Sequence, residues 1–393
     1  MKIAMIGQKG IPCKYGGIER HVEELAKGLV TRGHQVFVYA RAQYTEQTVQ
    51  EYAGVTIVHI PSLHTKHLDT MTHVFLSTIH ALFQQYDVIH YHGVGPSLLS
   101  FIPRLFTRKT NVIATVHCLD RLVSKWGRFA RFVLRLGEWA ACRFAYETIA
   151  VSKGLREYCQ TNYNRVAKYI PNGIAVQKEN AQLSSGWQSR LAETFHLKPG
   201  EYILNVSRFI PSKNIELLIA SFKELRIDQK KLVLVGDAGE YEMEYKRKLH
   251  ELARGDDRIM FVGWQDWPCL RLLYQGAFLY VHPSSAEGLS TTVIEALAHG
   301  APVVVADIEG NREIINSDLF LVDPNDQKAL TKKIEAVIAD MDNGISIARA
   351  LQDKILSLYS WDMLVQQVES LYQSRIYSDV ALLRKKSVIH PHL

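Results

Sequence analysis

Short apolar runs alternate with amphipathic stretches along almost the whole chain, a rhythm that predicts strands and helices in alternation. In the first half the runs fall at residues 3–6, 36–39, 55–58, 88–91, 112–116 and 148–151, with helical patterns such as residues 18–32 between them. A second series follows at 202–206, 232–235, 259–262, 278–281 and 303–305. Runs that are apolar throughout suit parallel strands covered on both faces, so each half is predicted to be a doubly wound α/β domain. The turn at residues 169–174 closes the first series, and the polar stretch 178–185 reads as a linker. The expected division is residues 1–180, residues 181–358, and a final helix at 359–376, with a loose tail beyond it.

Length agrees, because 393 residues exceed what one core usually organises. No run of 18 or more apolar residues occurs, and residues 1–7 read as a short strand rather than a leader, which makes a cytoplasmic location the expectation. Cys13, Cys118, Cys142, Cys159 and Cys269 are scattered without C-x-x-C spacing, which argues against a zinc site and a disulfide framework. The net charge of +6 conceals an asymmetry. Residues 1–180 hold 22 Lys and Arg against 12 Asp and Glu, whereas residues 181–393 hold 24 against 28. Much of the excess lies at residues 104–143, where nine basic residues face only Asp120 and Glu138. That half is built to meet something negative.

The most specific chemistry lies at residues 285–303. An apolar strand ending at Pro283 runs into a loop carrying Glu287 and Gly288. Ser290, Thr291 and Thr292 are good N-cap types, so a helix is predicted to begin among them and to run through Glu295 to Gly300. Its first N–H groups would then point at the C-terminal edge of the sheet, a place that holds phosphate. Glu287 lies in the loop, and Glu295 about a turn inside the helix, where a carboxylate can accept hydroxyl hydrogen bonds. Two glutamates alone favour the plainer reading, in which Glu295 is a solvated helix residue and Glu287 a loop charge.

The surrounding residues narrow the reading. Glu287 to Glu295 resembles the E-x7-E signature of the family-four glycosyltransferases, and the stretches 300–306 and 310–315 look like the strand and glycine turn that follow it in that family. The resemblance implies a GT-B fold, two Rossmann-like domains facing a cleft, and sugar transfer from a nucleoside diphosphate with retention of configuration. It implies that Glu287 faces the donor sugar, that Glu295 holds the ribose, and that Gly288, Leu289 and Ser290 line the same donor site. Arg208 and Lys213 match the pair that clamps the diphosphate, where fixed cations meet the charge developing on the leaving group. Gly16 and Gly17 match the N-terminal loop, His117 a histidine that reaches the donor sugar, and residues 361–372 a last helix crossing back to the first domain. The family's front-face attack, with the leaving phosphate taking the acceptor proton, is the mechanism implied.

Other chemistries fit less well. The loop at residues 7–21 is neither G-x-G-x-x-G nor a Walker sequence, which removes dinucleotide and ATP readings. His64 and His67 have no acidic or thiol partner nearby, and Asp340-Met341-Asp342 sits in a late helical region, so no metal is assigned. His90 and His92 are expected to support the edge at His117. A helix read at residues 124–146 places Arg128, Arg131 and Arg135 on one side, with Trp126, Phe129, Phe132, Val133, Leu136 and Trp139 available to core or interface. From it follow an expected anionic membrane partner on the inner face of the plasma membrane and a saccharide or lipid-linked saccharide acceptor. Nucleic acid is not expected. The alternatives are a soluble GT-B synthase or epimerase, and an inactive nucleotide-sugar-binding subunit.

Overall fold

The computed structural model describes all residues except 14–15, 66–67, 108, 123–125, 175–185, 228 and 389–393, with the side chains of 241 and 375–388 also outside it. The chain divides into two compact units, Met1–Gly173 joined by the segment from Trp361 onward, and Ile174–Ser360. The division falls at Gly173, where Ile174 bridges to Ser360. The expected linker at 178–185 lies outside the described residues.

The first unit holds β1 (Lys2–Ile6), β2 (Gln35–Arg41), β3 (Glu51–Tyr52), β4 (Val55–Ile60), β5 (Val88–His92), β6 (Asn111–Val116), β7 (Glu147–Ala150) and β8 (Lys168–Tyr169). Their order is β3-β4-β2-β1-β5-β6-β7-β8. Only β3, paired with β4, runs antiparallel. Its helices are α1 (Gly17–Thr31), α2 (Leu68–Leu82), α3 (Val94–Ser97), α4 (Phe101–Phe106), α5 (Arg128–Arg143) and α6 (Lys153–Tyr163).

The second unit is wholly parallel: β9 (Tyr202–Val206), β10 (Lys231–Val235), β11 (Ile259–Gly263), β12 (Leu279–His282), β13 (Val303–Ala306) and β14 (Leu321–Val322), in the order β11-β10-β9-β12-β13-β14. It carries α7 (Trp187–Phe195), α8 (Ile215–Glu224), α9 (Met243–Ala253), α10 (Trp267–Gly276), α11 (Thr291–Ala298), α12 (Glu309–Arg312), α13 (Gln327–Ala339) and α14 (Met341–Leu358). The apolar runs become strands because helices cover both faces, and β6, β9, β12 and β13 are buried along their full length. Two-residue strands such as β3, β8 and β14 are too short to leave a periodic signal.

Strand order reverses between β1 and β5 in one sheet and between β9 and β12 in the other. At such a point the loops leaving neighbouring strands turn to opposite faces and open a crevice at the carboxyl edge.

The last helix, α15 (Trp361–Val388), belongs to the first unit. Leu364, Val365, Val368 and Tyr372 recur at helical spacing and enter the core around β1 and α1. Glu369 pairs with Arg32 at 3.2 Å and His34 at 2.8 Å, and Tyr372 Oη is hydrogen-bonded to His90 Nδ1 at 2.7 Å. The helix extends past residue 376 and replaces the loose tail expected there. No Gly or Pro stands between Trp361 and Val388 to stop it. Nor does α5 begin at 124: Gly127 is its N-cap, and the helix is shorter at both ends than expected.

Tyr372 and His90 are both fully buried, so Tyr372→Phe leaves one ring nitrogen of His90 without its partner. We expect this to cost about 1–3 kcal/mol in urea unfolding, and an unchanged midpoint would show that α15 is held by apolar contact alone.

Candidate active site

In the second unit the β9/β12 reversal brings two loops together, and short polar bonds lock them. Ser212 O accepts from Ser285 N at 2.9 Å and from the Ser284 and Ser285 hydroxyls at 3.2 Å each. Asn214 Nδ2 donates to Pro283 O at 3.0 Å. Asn214 adopts a left-handed φ of 52° between the 3₁₀ turn Pro211–Lys213 and α8, a conformation its side chain tolerates. Lys213 is thereby held against Glu287.

Glu287 Oε1 accepts from Lys213 Nζ in a short ion pair and from His282 Nε2 at 2.8 Å. Burial would raise the Glu287 carboxyl, but the Lys213 charge and the His282 hydrogen bond outweigh it and hold it far below the usual range. His282 itself is lowered, first by burial. The backbone beneath the carboxylate needs Gly310 in α12: a Cβ there would stand 2.6 Å from Gly288 O and 3.0 Å from Glu287 O. Arg208, on the loop after β9, is exposed and makes no ion pair among the described residues.

Ser290 is the N-cap of α11, yet its hydroxyl meets Thr292 Oγ1 at 3.3 Å rather than capping a backbone N–H. The first turn therefore keeps its donors uncapped by a side chain. Leu289 is buried, so what it offers a ligand is backbone, whereas Gly288 is half-buried. Glu295 is also buried, and its Oε2 accepts from Tyr274 Oη at 2.9 Å. Helical spacing alone placed it on a turn, not under a tyrosine of α10.

In the first unit the β1/β5 reversal collects histidines. His21 on α1, His92 at the end of β5 and His117 after β6 are all buried, with ring centroids 4.8 Å apart for His21 and His117 and 5.7 Å for the other two pairs. His92 Nδ1 lies 3.4 Å from His117 Nε2. Burial lowers the His21 pKa to about 4, and it pushes His92 and His117 well below the ordinary value, so the three rings are neutral at physiological pH. His21 Nδ1 and His92 Nε2 find no hydrogen-bond partner among the described residues. His90 stands behind them, bonded to Tyr372 and to Thr115 Oγ1 at 2.7 Å. Gly16 is the N-cap of α1 with φ 96°, a conformation that suits glycine, and Gly17 has open space where a side chain would be.

Sequence reasoning gave His282, Tyr274 and His21 no role. His282 was hidden inside an apolar strand run, and a lone histidine carries little signal. Asp340 and Asp342 lie exposed around the α13–α14 junction, with Asp340 Oδ2 accepting from Asn343 Nδ2 at 2.8 Å. His64 is exposed, and His67 lies outside the described residues.

Comparison with known proteins agrees with the fold just described. Residues 15–178 match Glycosyltransferase Family 4, and residues 191–350 match Glycosyl transferases group 1. The chain belongs to the family-four, group 1 glycosyltransferases. It is 26% identical to an uncharacterised glycosyltransferase of Methanocaldococcus jannaschii over 95% of this chain and 98% of that one. It is 23% identical to an Escherichia coli UDP-Gal:alpha-D-GlcNAc-diphosphoundecaprenol alpha-1,3-galactosyltransferase, over 74% of this chain and 76% of that one. Among solved structures, Anabaena HepE in complex with UDP-glucose superposes with a TM-score of 0.78 at 23% identity, covering 95% of this chain and all of that one. The chain is thus a glycosyltransferase with two parallel α/β sheets of the GT-B type.

Lys213→Met leaves the largely buried Glu287 carboxylate with only His282, and we expect a loss of about 3 kcal/mol at neutral pH that Glu287→Gln in the same chain largely restores. In the wild type the folded carboxyl lies below its unfolded value of about 4.3, so the cluster's contribution is complete above that pH and is lost as pH falls below it toward the folded pKa. Urea titrations across this range should show a steeper acid loss in the wild type than in Lys213→Met, and equal slopes would refute the coupling.

Proposed function

We propose that the enzyme moves a hexose from a nucleoside diphosphate sugar to a lipid-linked saccharide, with retention of configuration, in surface polysaccharide synthesis. The observation that carries this reading is the largely buried Lys213–Glu287–His282 cluster, whose carboxylate lies in the loop leading into α11. Binding of the donor exchanges partners: the diphosphate takes the Lys213 ammonium, and sugar hydroxyls take the Glu287 carboxylate. Arg208 and the α11 N–H groups add positive charge where the leaving diphosphate gains negative charge. The C1–O bond to the diphosphate breaks, the acceptor oxygen bonds C1 on the same face, and its proton passes to the departing phosphate oxygen. Glu295, fixed by Tyr274, accepts from the ribose. His117, neutral and backed by His92 and His21, hydrogen-bonds a sugar hydroxyl, and the Gly16–Gly17 turn leaves room for substrate. With these cations in place the reaction needs no metal ion.

The acceptor side rests on α5. Its outer face carries Arg128, Arg131, Arg135 and Arg143 together with Phe129 (80% exposed), Phe132 (58%), Leu136 and Trp139 (43%). Trp126 and Val133 are half-buried. Glu138, the acidic residue of α5, points inward, where it accepts from Tyr158 Oη at 2.8 Å, Tyr163 Oη at 2.9 Å and Arg121. A helix face that is both basic and aromatic suits an anionic lipid surface. Among the described residues no helix is long and apolar enough to cross a membrane. The Escherichia coli relative's named acceptor is carried on diphosphoundecaprenol, in keeping with a lipid-linked substrate.

A panel of nucleotide sugars, assayed for released nucleotide with and without EDTA, identifies the donor. Arg208→Ala should lower kcat about 100-fold with an unchanged melting temperature, since an exposed cation supports the leaving group and no core. Near-normal turnover, or activity abolished by EDTA and restored by magnesium, would overturn the assignment.

Each basic residue near an anionic surface contributes about 1 kcal/mol, so the arginines of α5 can hold the protein reversibly. Wild type should float with anionic liposomes at low salt and dissociate at high salt, and Arg128/Arg131/Arg135→Glu should stay in solution. Equal flotation of the two would favour a soluble acceptor.

A further inference from the structure

We propose that a groove on the N-terminal unit seats the hydrocarbon chain of the lipid-linked acceptor, an inference that rests on the acceptor reading above. The groove, of about 520 Å³, runs between Pro61 and Leu63 after β4, Met71, Phe75 and Leu76 on α2, and Leu99. Its two hydroxyls are already engaged. Ser62 Oγ donates to Asp69 Oδ1 at 2.6 Å, while Thr72 Oγ1 donates to Leu68 O at 2.7 Å and accepts from Leu63 N at 3.0 Å. A sugar placed here would lose its hydrogen bonds to water and gain few in return. A hydrocarbon chain loses none.

The helix that forms one wall points the same way. A surface helix normally turns charge outward, but α2 is apolar on both sides. Val74 and Ala81 fill the core, while Leu68, Phe75 (48% exposed) and Leu76 stand outside, followed by Phe83 (78%) just past the helix end. Asp69, its one acidic residue, is buried against Arg41 at 2.8 Å, and His73 is buried as well. An uncharged outer face of this extent marks a binding surface.

Continuity with α5 selects the occupant. Leu99 sits in the 3₁₀ turn Leu98–Ser100, which packs against α5, and Ser100 Oγ donates to Ala140 O at 3.4 Å. Next to it, the Phe101 ring lies 5.9 Å from Phe144, which lies 5.2 Å from Trp139. The turn that supplies Leu99 to the groove therefore packs against both α2 and α5, and the outer face of α5 carries four arginines and no outward acidic group. An amphiphile with a phosphate head and a long apolar chain matches both parts, the head on the arginines and the chain in the groove.

The test is calorimetry with the full chain, using geranylgeranyl diphosphate below its aggregation limit and inorganic diphosphate as the chain-free probe. The chain-bearing probe should bind at least about tenfold more tightly, and Phe75→Glu or Leu76→Glu should erase that advantage. Both side chains are partly exposed, so the fold should tolerate the changes, and an unaltered melting temperature checks this. A benzophenone-bearing isoprenyl diphosphate should cross-link within residues 61–76. Equal affinity for the two probes, undiminished binding in both variants, or cross-links elsewhere would overturn the proposal. Failure of the underlying reading looks different: transfer then goes to chain-free saccharides and is equally fast in wild type and Leu76→Glu, whatever the groove binds, and that result overturns both.

Discussion

A carboxylate largely withdrawn from water at the edge of a sheet is tolerable only if its charge is answered on the spot, and Glu287 is answered by Lys213 and His282. Each of the three comes from a different stretch of the second unit: the turn after β9, the end of β12 and the loop that follows. The surrounding bonds keep them in register, with Ser212 O gathering three donors and Gly310 giving the loop backbone room to pass. The same pairing that makes the burial affordable also holds a cation and an anion where donor chemistry calls for both.

The first unit uses burial in the opposite way. Its histidines are kept neutral by desolvation, so His21, His92 and His117 offer hydrogen-bonding nitrogens rather than charge. Their support reaches far along the chain, through His90 to Tyr372 of α15, a helix that follows the whole second unit in sequence. The fixed charge of this unit lies elsewhere, on the outer face of α5. Thus the chemistry divides: paired charge in the second unit, neutral imidazoles and an amphiphilic surface in the first.

Much of this was legible before any coordinates. Apolar runs bounded by turn residues announced the strands, because a strand covered on both faces has no use for polar side chains. Ser290 and Gly300 marked the start and end of α11, and Glu287, Glu295, Arg208 and Lys213 stood out by their resemblance to the family's motifs. Sequence could not say whether Phe129, Phe132, Leu136 and Trp139 faced core or solvent, since a helix with arginines and aromatics interleaved has no unambiguous inner side. The α3 helix and the 3₁₀ turn after it take the opposite face of α5, and that packing leaves the aromatics outside.

The longer strands, the N-cap of α11, the charge asymmetry and the family signature are properties of local sequence, and the chain determined them by itself. Which strands became neighbours is a different kind of fact. The site exists because β12 lies beside β9 although β10 and β11 intervene in sequence, and because β5 lies beside β1 although β2, β3 and β4 intervene. Only that non-local pairing brings Lys213 to Glu287 and His92 to His21 and His117. Local propensity carries no record of it, because the free energy that selects the pairing comes from burying both faces of a complete sheet at once.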